Sequence, residues 1–535
     1  MNKILIILTI SLLFFSSSAY PKAYDLEIKK QNYTISGKKV EAITINDVIP
    51  GPTLNWQEGE EVEVRVKNSM DEVTSIHWHG ILLDGYMDGV PGLNGFEGIK
   101  PNETFTYKFK IRQSGTYWYH SHSNLQEQQG MFGAIAISPK QKNSNNKYDR
   151  EYVVILSDFT HENPKVILNN LKIDPGYYNF NKRTIFNFFS DSNKNGFLNT
   201  LKDYMHWGDM RMDPTDLADV TQYIFLINGK TSEQNWTGIF NKGERIKLRF
   251  INASAMTIFD VSIPNLKMEF IEADGQPIKS TFADEFRIGA AETYDVIVEP
   301  KDNKVYTIFA ESLDRTGYAR GTLASNLGMV GEIPKMRPRA LLTMADMKMD
   351  NVDHSQMNHD MHHDMNDMNH DMHHGINEMN TEKIRSGWQE RGTPLGNKAL
   401  EYSDLISLNE QKDIRKPNRE IEFKLGGMMN RYIWTINGKK FPEPIKIKYG
   451  ERVRLKFTND TMMAHPIHLH GMFMQMENGQ SAKWMPNKHT VLIPPAQSIS
   501  MLLTADEAGE WALHCHLLFH MASGMMTSIT VENKK

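Results

Sequence analysis

Gly59-Glu60-Glu61-Val62-Glu63-Val64-Arg65-Val66-Lys67-Asn68 returns later in the chain as Gly243-Glu244-Arg245-Ile246-Lys247-Leu248-Arg249-Phe250-Ile251-Asn252. It returns again as Gly450-Glu451-Arg452-Val453-Arg454-Leu455-Lys456-Phe457-Thr458-Asn459. Each copy is a turn glycine followed by alternating apolar and polar residues, the period of a half-buried strand. Each follows a turn: Pro50-Gly51-Pro52, Asn228-Gly229 and Asn437-Gly438. One match would carry little weight, because half-buried strands look alike. Three, spaced 184 and 207 residues apart, predict three related β domains. Short strands punctuated by Gly and Pro predict sandwiches or barrels rather than α/β folds.

The rest of the chain arranges itself around this register. At 535 residues it is too long for one compact domain. Domain one is expected at 20–140, domain two at 141–342 and domain three at 413–535. Domain two carries an aromatic, Asn-rich excursion near Leu171–Val220 that suits short helices. Residues 343–412 form a Met/His-rich segment and a polar linker. Residues 1–19 read as a secretory signal peptide: Lys3, the apolar run Ile4–Phe15, then small residues at Ser17 and Ala19. That run is shorter than the ~20 residues needed to cross a bilayer, and no later run approaches that length, so export without stable membrane insertion is expected. The balance of 60 Lys+Arg against 65 Asp+Glu, a net charge of −5, argues against nucleic acid as a partner. One cysteine excludes an internal disulfide, and 32 methionines are an excess that needs a reason.

The 20 histidines supply it in part. Seven lie in the Met/His-rich segment, and His161, His206 and His489 are scattered and read as ordinary core or surface residues. The other ten form four clusters: His77-Trp78-His79, His120-Ser121-His122, His465-Pro466-Ile467-His468-Leu469-His470, and His514-Cys515-His516 with His520. His77 and His468 each lie 18 residues after their repeat glycine, whereas domain two has Phe259-Asp260 there and is expected to hold no metal. In a strand, residues i and i+2 project from one face, so each His-x-His can serve one site. A lone His-x-His is usually a satisfied core pair, but four at matching places in two repeats call for metal. Cys515 must point away from His514 and His516, where it can meet His465, His520 and Met525. One thiolate, two imidazoles and a weak thioether form the blue-copper electron-transfer set. Eight further imidazoles exceed the closed or singly open tetrahedron that zinc uses, so copper is the expected metal.

These four clusters resemble those of the multicopper oxidases, a family of cupredoxin-domain proteins that includes laccases. The chain after residue 19 is similar to the bacterial copper-resistance branch through Tyr177-Tyr178-Asn179-Phe180-Asn181-Lys182-Arg183-Thr184, Met210-Arg211-Met212-Asp213-Pro214-Thr215-Asp216-Leu217 and the Met/His-rich segment. The resemblance implies an all-β fold of three cupredoxin-like Greek-key sandwich or barrel domains and a monomer with four copper ions. It implies a type 1 site of His465, Cys515, His520 and Met525 and a type 2 pair of His77 and His468. It implies type 3 ligands His79, His120 and His516 on one ion and His122, His470 and His514 on the other. Asp88 takes the place of the family's proton-relaying acid, although Met87-Asp88-Gly89 also reads as a turn. Where many relatives carry a second acid beside His520, this chain has Met521-Ala522-Ser523.

Residues 344–379 contain nine Met and seven His, with Met361, His362, His363, Met365, Met368, Met372, His373 and His374 at the densest part. Thioethers select Cu(I), and imidazole accepts either copper state. Met463, two residues before His465, occupies the place where the resemblance implies a substrate Cu(I) ligand. Met472, Met474 and Met476 share a strand face, a pattern that core packing also produces. The expectation is a periplasmic enzyme oxidising Cu(I) with O₂ for copper tolerance and meeting periplasmic copper-carrier proteins. The competing readings are a laccase-like oxidase of phenolic donors and a copper-sequestering protein with little turnover.

Overall fold

The computed structural model describes residues 22–141, 147–210, 212–343, 346, 388, 391–428 and 431–532. The signal-peptide reading and Met361, His362, His363, Met365, Met368, Met372, His373 and His374 lie outside the described residues. The strands fall into three two-sheet units. The first pairs two four-stranded sheets, the second two six-stranded sheets, and the third a six- and a five-stranded sheet. In the first unit Leu26, Val64, Trp56, Ile135 and Tyr119 belong to one core packed between the sheets.

The repeated sequence builds the same device three times. Each repeat strand runs parallel to the first long strand of its unit and antiparallel to a later one. Glu61–Asn68 lies between Lys22–Ile35 and Thr104–Lys110, Ile246–Asn252 between Arg150–Phe159 and Thr293–Val298, and Arg452–Asn459 between Arg419–Met428 and Ser498–Thr504. The glycine that opens each repeat has positive φ (89°, 83° and 76°), a conformation that costs a side-chain-bearing residue. The glutamate after it accepts the backbone N–H three residues back, from Gln57, Asn241 and Lys448 at 2.9, 2.9 and 3.0 Å. The closing asparagines Asn68, Asn252 and Asn459 are fully buried and donate to carbonyls of the following loop (Glu72, Thr257, Met463) and of a distant segment (Ile99, Ile288, Ile493). These side chains occupy backbone groups that the strand end would otherwise leave unmade.

Two readings of the repeats need correction. The hairpin turn of unit one that matches Asn228-Gly229 and Asn437-Gly438 is Asn46-Asp47, not Pro50-Gly51-Pro52. Asn46, Asn228 and Asn437 all have φ near +50° and accept from Glu27, Ile155 and Lys424 N–H at 2.7 Å each. Gly51 instead opens the next strand, Gly51–Gln57. The first repeat strand is half-buried and the third keeps a part-exposed polar face at Arg454 and Lys456, but Ile246–Asn252 is buried on both faces. Its polar face is covered because Arg249 donates to Thr116 of unit one at 2.8 Å and Lys247 pairs with Asp295 at 2.7 Å. The excursion in unit two forms the helices Pro164–Ile173, Ile185–Asn195 and Phe197–Asp209.

Units one and three lie side by side. Asn94 exchanges backbone and side-chain hydrogen bonds with Glu510 (2.7–3.1 Å), and Arg112 pairs with Glu507 at 2.7 Å. This seam brings the histidine-bearing strands of the two units together.

Candidate metal centre

Two short antiparallel ladders carry the histidines. His77–His79 pairs with Gly115–His120, setting His77 opposite His120. His465–Leu469 pairs with Gly509–Cys515, setting His468 opposite His514 and Ile467 opposite Cys515. The strand pleat sends His77 and His79 to one side, while Trp78 between them packs against Tyr107, Phe109 and Tyr119 in the unit-one core. Across the seam the imidazoles interleave: His77 stacks on His470 at 3.8 Å between ring centres, and His79 on His468 at 3.7 Å.

Among the described residues, ligand atoms fall within 4.8 Å of one another in five groups. They are His77/His468/His470, His79/His120/His516, His79/His468/His489, His122/His470/His514 and His465/Cys515/His520. The structure therefore gathers every histidine of the four sequence clusters into two neighbouring chambers. It also adds His489, which the sequence reading set aside: the Thr490 hydroxyl lies 3.1 Å from its Nδ1, and its Nε2 is free of partners. Spacing along the chain gave no signal for it, because Lys488-His489-Thr490 is placed by Asp274 of unit two, which accepts from the His489 and Thr490 N–H groups at 3.2 and 3.1 Å. In unit two, the place of the ligand histidines is taken by Asp260, a buried carboxylate held by Arg287 at 2.7 Å and Arg315 at 2.5 Å.

The chamber fits metal ions by its own unmet chemistry. The Nε2 atoms of His77, His79, His120, His468, His489 and His516 are buried without a hydrogen-bond partner. Leaving a buried polar atom unpaired costs about 1–3 kcal/mol, so six would consume most of a typical stability of about 5–15 kcal/mol. His470 donates through Nδ1 to Asp88 and His514 through Nδ1 to the Cys515 carbonyl, so their Nε2 atoms are bare lone pairs only 3.1 Å apart. Two lone pairs face each other comfortably only with a cation between them. Burial, reinforced by neighbouring imidazoles, holds His79, His120, His122, His465, His468, His470 and His516 well below the usual histidine range, and burial lowers His514 to about 4. All are neutral near pH 7, the form that ligates metals.

Cys515 faces the second chamber. Its Sγ lies 3.6 Å from His465 Nδ1 and 3.7 Å from His520 Nδ1, and those two nitrogens are 3.1 Å apart. Each imidazole is turned by a partner on its other nitrogen: Thr461 Oγ1 at 2.7 Å from His465 Nε2, and Asp219 Oδ2 at 2.6 Å from His520 Nε2. Such outer partners fix the tautomer of a ligand histidine. Met525 is fully buried in the same core as Cys515, and its carbonyl accepts the Cys515 N–H at 3.0 Å. Trp434 stacks on His520 at 3.9 Å.

Three carboxylates attend the imidazoles. Asp88 ends a short 3₁₀ turn, as the Asp-Gly reading expected, but its side chain is buried and reaches across the seam to His470 Nδ1 at 2.8 Å. Its carbonyl accepts from His77 Nδ1 at 2.9 Å. Glu127, missed in the sequence, lies 2.8 Å from His120 Nδ1 and 4.0 Å from His516 Nδ1. Burial, then repulsion from Asp158, pushes its carboxyl well above the usual range. Asp219 was also missed; it arrives from the unit-two excursion. Met463 is buried beside this chamber, while Met472, Met474 and Met476 are core residues of unit three.

Sequence profiles described as multicopper oxidase match residues 27–142, 150–327 and 415–535. The chain is 46% identical to Copper resistance protein A of Escherichia coli, over 95% of this chain and 92% of that one. It is 47% identical to a Copper resistance protein A homolog of Pseudomonas syringae pv. tomato, with the same shares covered. Its fold is similar to the crystal structure of a laccase from Botrytis aclada, with a TM-score of 0.67 and 21% identity over 95% of this chain and 87% of that one. That likeness bears on the fold, three cupredoxin-like units.

Proposed function

We propose that this chain, which belongs to the multicopper oxidase family, is a periplasmic enzyme of copper tolerance that takes electrons singly from Cu(I) and delivers them to O₂. The family's four copper ions supply one-electron uptake at one site and four-electron O₂ reduction at the other. His465, Cys515, His520 and Met525 would hold the type 1 ion; His77 and His468 the type 2 ion; His79, His120 and His516 one type 3 ion; and His122, His470 and His514 the other.

The protein's own residues explain how such a division works. Cys515 faces one chamber while His514 and His516, its covalent neighbours, face the other, so one tripeptide joins the sites. Asp88 accepts the His470 Nδ1 proton and turns the Nε2 lone pair inward, and the Ser121 carbonyl, 2.9 Å from His120 Nδ1, does the same for His120, with Glu127 beside it at 2.8 Å. The second carboxylate oxygen of Asp88 lies 3.3 Å from His77 Nδ1, poised to hold or pass a proton between units one and three. The observation that favours Cu(I) over a phenol is the burial of His465 and His520, both 0% exposed and covered by Trp434 and Asp219. A bulky ring touches no ligand edge and must pass its electron through those covering side chains, whereas a small ion beside thioethers needs no such edge. Among the described residues no helix is long and apolar enough to cross a membrane.

The test is O₂ uptake by copper-loaded protein supplied with Cu(I). The expected result is four Cu(I) consumed per O₂, with both the uptake and the intense thiolate-to-copper band lost in Cys515→Ser while the protein stays folded. Absence of Cu(I)-driven uptake, with rapid oxidation of phenols, refutes the reading.

A further inference from the structure

The four ligand clusters account for every imidazole of the chamber except His489. Its Nδ1 faces the Thr490 hydroxyl at 3.1 Å, which leaves Nε2 as the nitrogen turned toward the other rings. That Nε2 is buried and has no hydrogen-bond partner among the described residues. His489, His79 and His468 each bring a ring nitrogen within 4.8 Å of the other two. Burial lowers His489 to about 4, so the ring is neutral near pH 7. Gly80, the residue after His79, has φ of +80°, and a Cβ there would lie 2.5 Å from His489 Nε2. The absent side chain makes the room that the ring takes.

The position is built from two units. Asp274 of unit two accepts from the His489 and Thr490 N–H groups at 3.2 and 3.1 Å. Lys488, fully buried, places Nζ 3.1 Å from both Asp274 Oδ1 and Glu292 Oε1. Taking three charges out of water is costly, and here they pin the backbone that carries His489. The His489 carbonyl in turn lies 2.8 Å from His468 Nδ1 and orients that ring. One residue therefore steers a proposed type 2 ligand with its backbone and sets its own ring beside it. The type 2 ion is also the one assigned the fewest protein ligands, His77 and His468 alone. We infer that His489 is a further ligand of that ion, a ninth imidazole of the chamber. This rests on the reading that His77 and His468 hold the type 2 copper. Imidazole is a good donor to copper, and a third one strengthens the hold on an ion that two would keep loosely.

The experiment is pulsed electron paramagnetic resonance on the copper-loaded full chain, which counts the imidazoles on the type 2 ion through their remote ring nitrogens. The expected result is three imidazoles in the parent, from His77, His468 and His489, and the loss of one in His489→Ala. On challenge with a chelator, the type 2 copper should leave His489→Ala about tenfold or more faster, the scale on which a lost partner weakens a metal site. The thiolate-to-copper band should keep its intensity, because His489 lies outside the Cys515 chamber. Added imidazole, entering the space the ring vacates, should restore the parent spectrum and slow the loss. If His489→Ala fails to fold, the parent spectrum decides alone. A parent spectrum with two imidazoles, or a variant that keeps the parent's spectrum and copper retention, overturns the role of His489. A copper-loaded parent without a type 2 signal overturns the type 2 pair itself.

Discussion

Replacing Asp219 by Asn keeps the shape of a side chain that holds His520 Nε2 at 2.6 Å and the Tyr432 hydroxyl at 2.7 Å, but removes its charge. A hydrogen bond to a charged group contributes about 1.5–3 kcal/mol against about 0.5–1.5 for a neutral one, so the change is about 1–1.5 kcal/mol. The lost negative charge disfavours the more positive, oxidised state of the ion that His520 would hold. For a one-electron couple, 59 mV corresponds to a factor of ten, or about 1.4 kcal/mol, which gives a rise of about 40–65 mV in the type 1 potential. The assay is a redox titration of the thiolate-to-copper band near pH 8.5, above the value of about 7 to which burial raises Asp219. In the parent the potential should also rise as pH falls through that region, because protonation removes the same charge. The Asn variant should lack that step. A potential that is unchanged or lower in Asp219→Asn, with copper content intact, refutes the argument that the carboxylate acts through His520.

Asp88→Asn should retain the copper ions and normal reduction of the type 1 site, yet slow O₂ turnover by about 10–100-fold, the range of a lost general acid or orienting partner; an unchanged four-electron rate makes Asp88 a turn residue only. Asn459→Ala removes the amide donor shared by the carbonyls of Met463, Ile493 and Pro494 and the acceptor of the Thr461 N–H, which at about 1–3 kcal/mol per buried group predicts a loss of at least about 2 kcal/mol in denaturant unfolding; a smaller loss denies the repeat asparagine its structural role. Deleting residues 344–380 removes none of the twelve proposed oxidase-centre ligands, so phenol oxidation should persist while Cu(I) oxidation at low copper falls. The opposite pattern, Cu(I) kinetics intact and phenol turnover lost, favours the laccase reading.

How much of this was legible in the chain depends on the range of the interaction. The period-2 alternation, the turn glycines and the His-x-His spacing are local, because a strand's pleat converts sequence distance directly into facing. They were sufficient to read three β units, the facing of each histidine pair and the opposed facing of Cys515. The functions of Glu60, Glu244 and Glu451, and of Asn68, Asn252 and Asn459, stood in the quoted repeats but showed themselves only as hydrogen bonds to loops, since propensity alone treats them as ordinary surface polars. Pro50-Gly51-Pro52 looked like the matching turn because Pro and Gly are strong local signals, yet Asn46-Asp47 makes the left-handed turn and Gly51 begins a strand.

What only the tertiary structure decided is everything carried across a seam between units. His489 reaches the imidazole chamber because Asp274, 215 residues earlier, holds its backbone. Glu127 is an acid among polar residues in sequence, but folded it is 2.8 Å from His120. Asp219 lies 301 residues from the histidine it orients. Asp88 touches His470 across 382 residues. No periodicity encodes such pairings, because they follow from how the three units pack against one another. The proposed copper ligands are therefore written in local spacing, while the carboxylates beside them are set by packing.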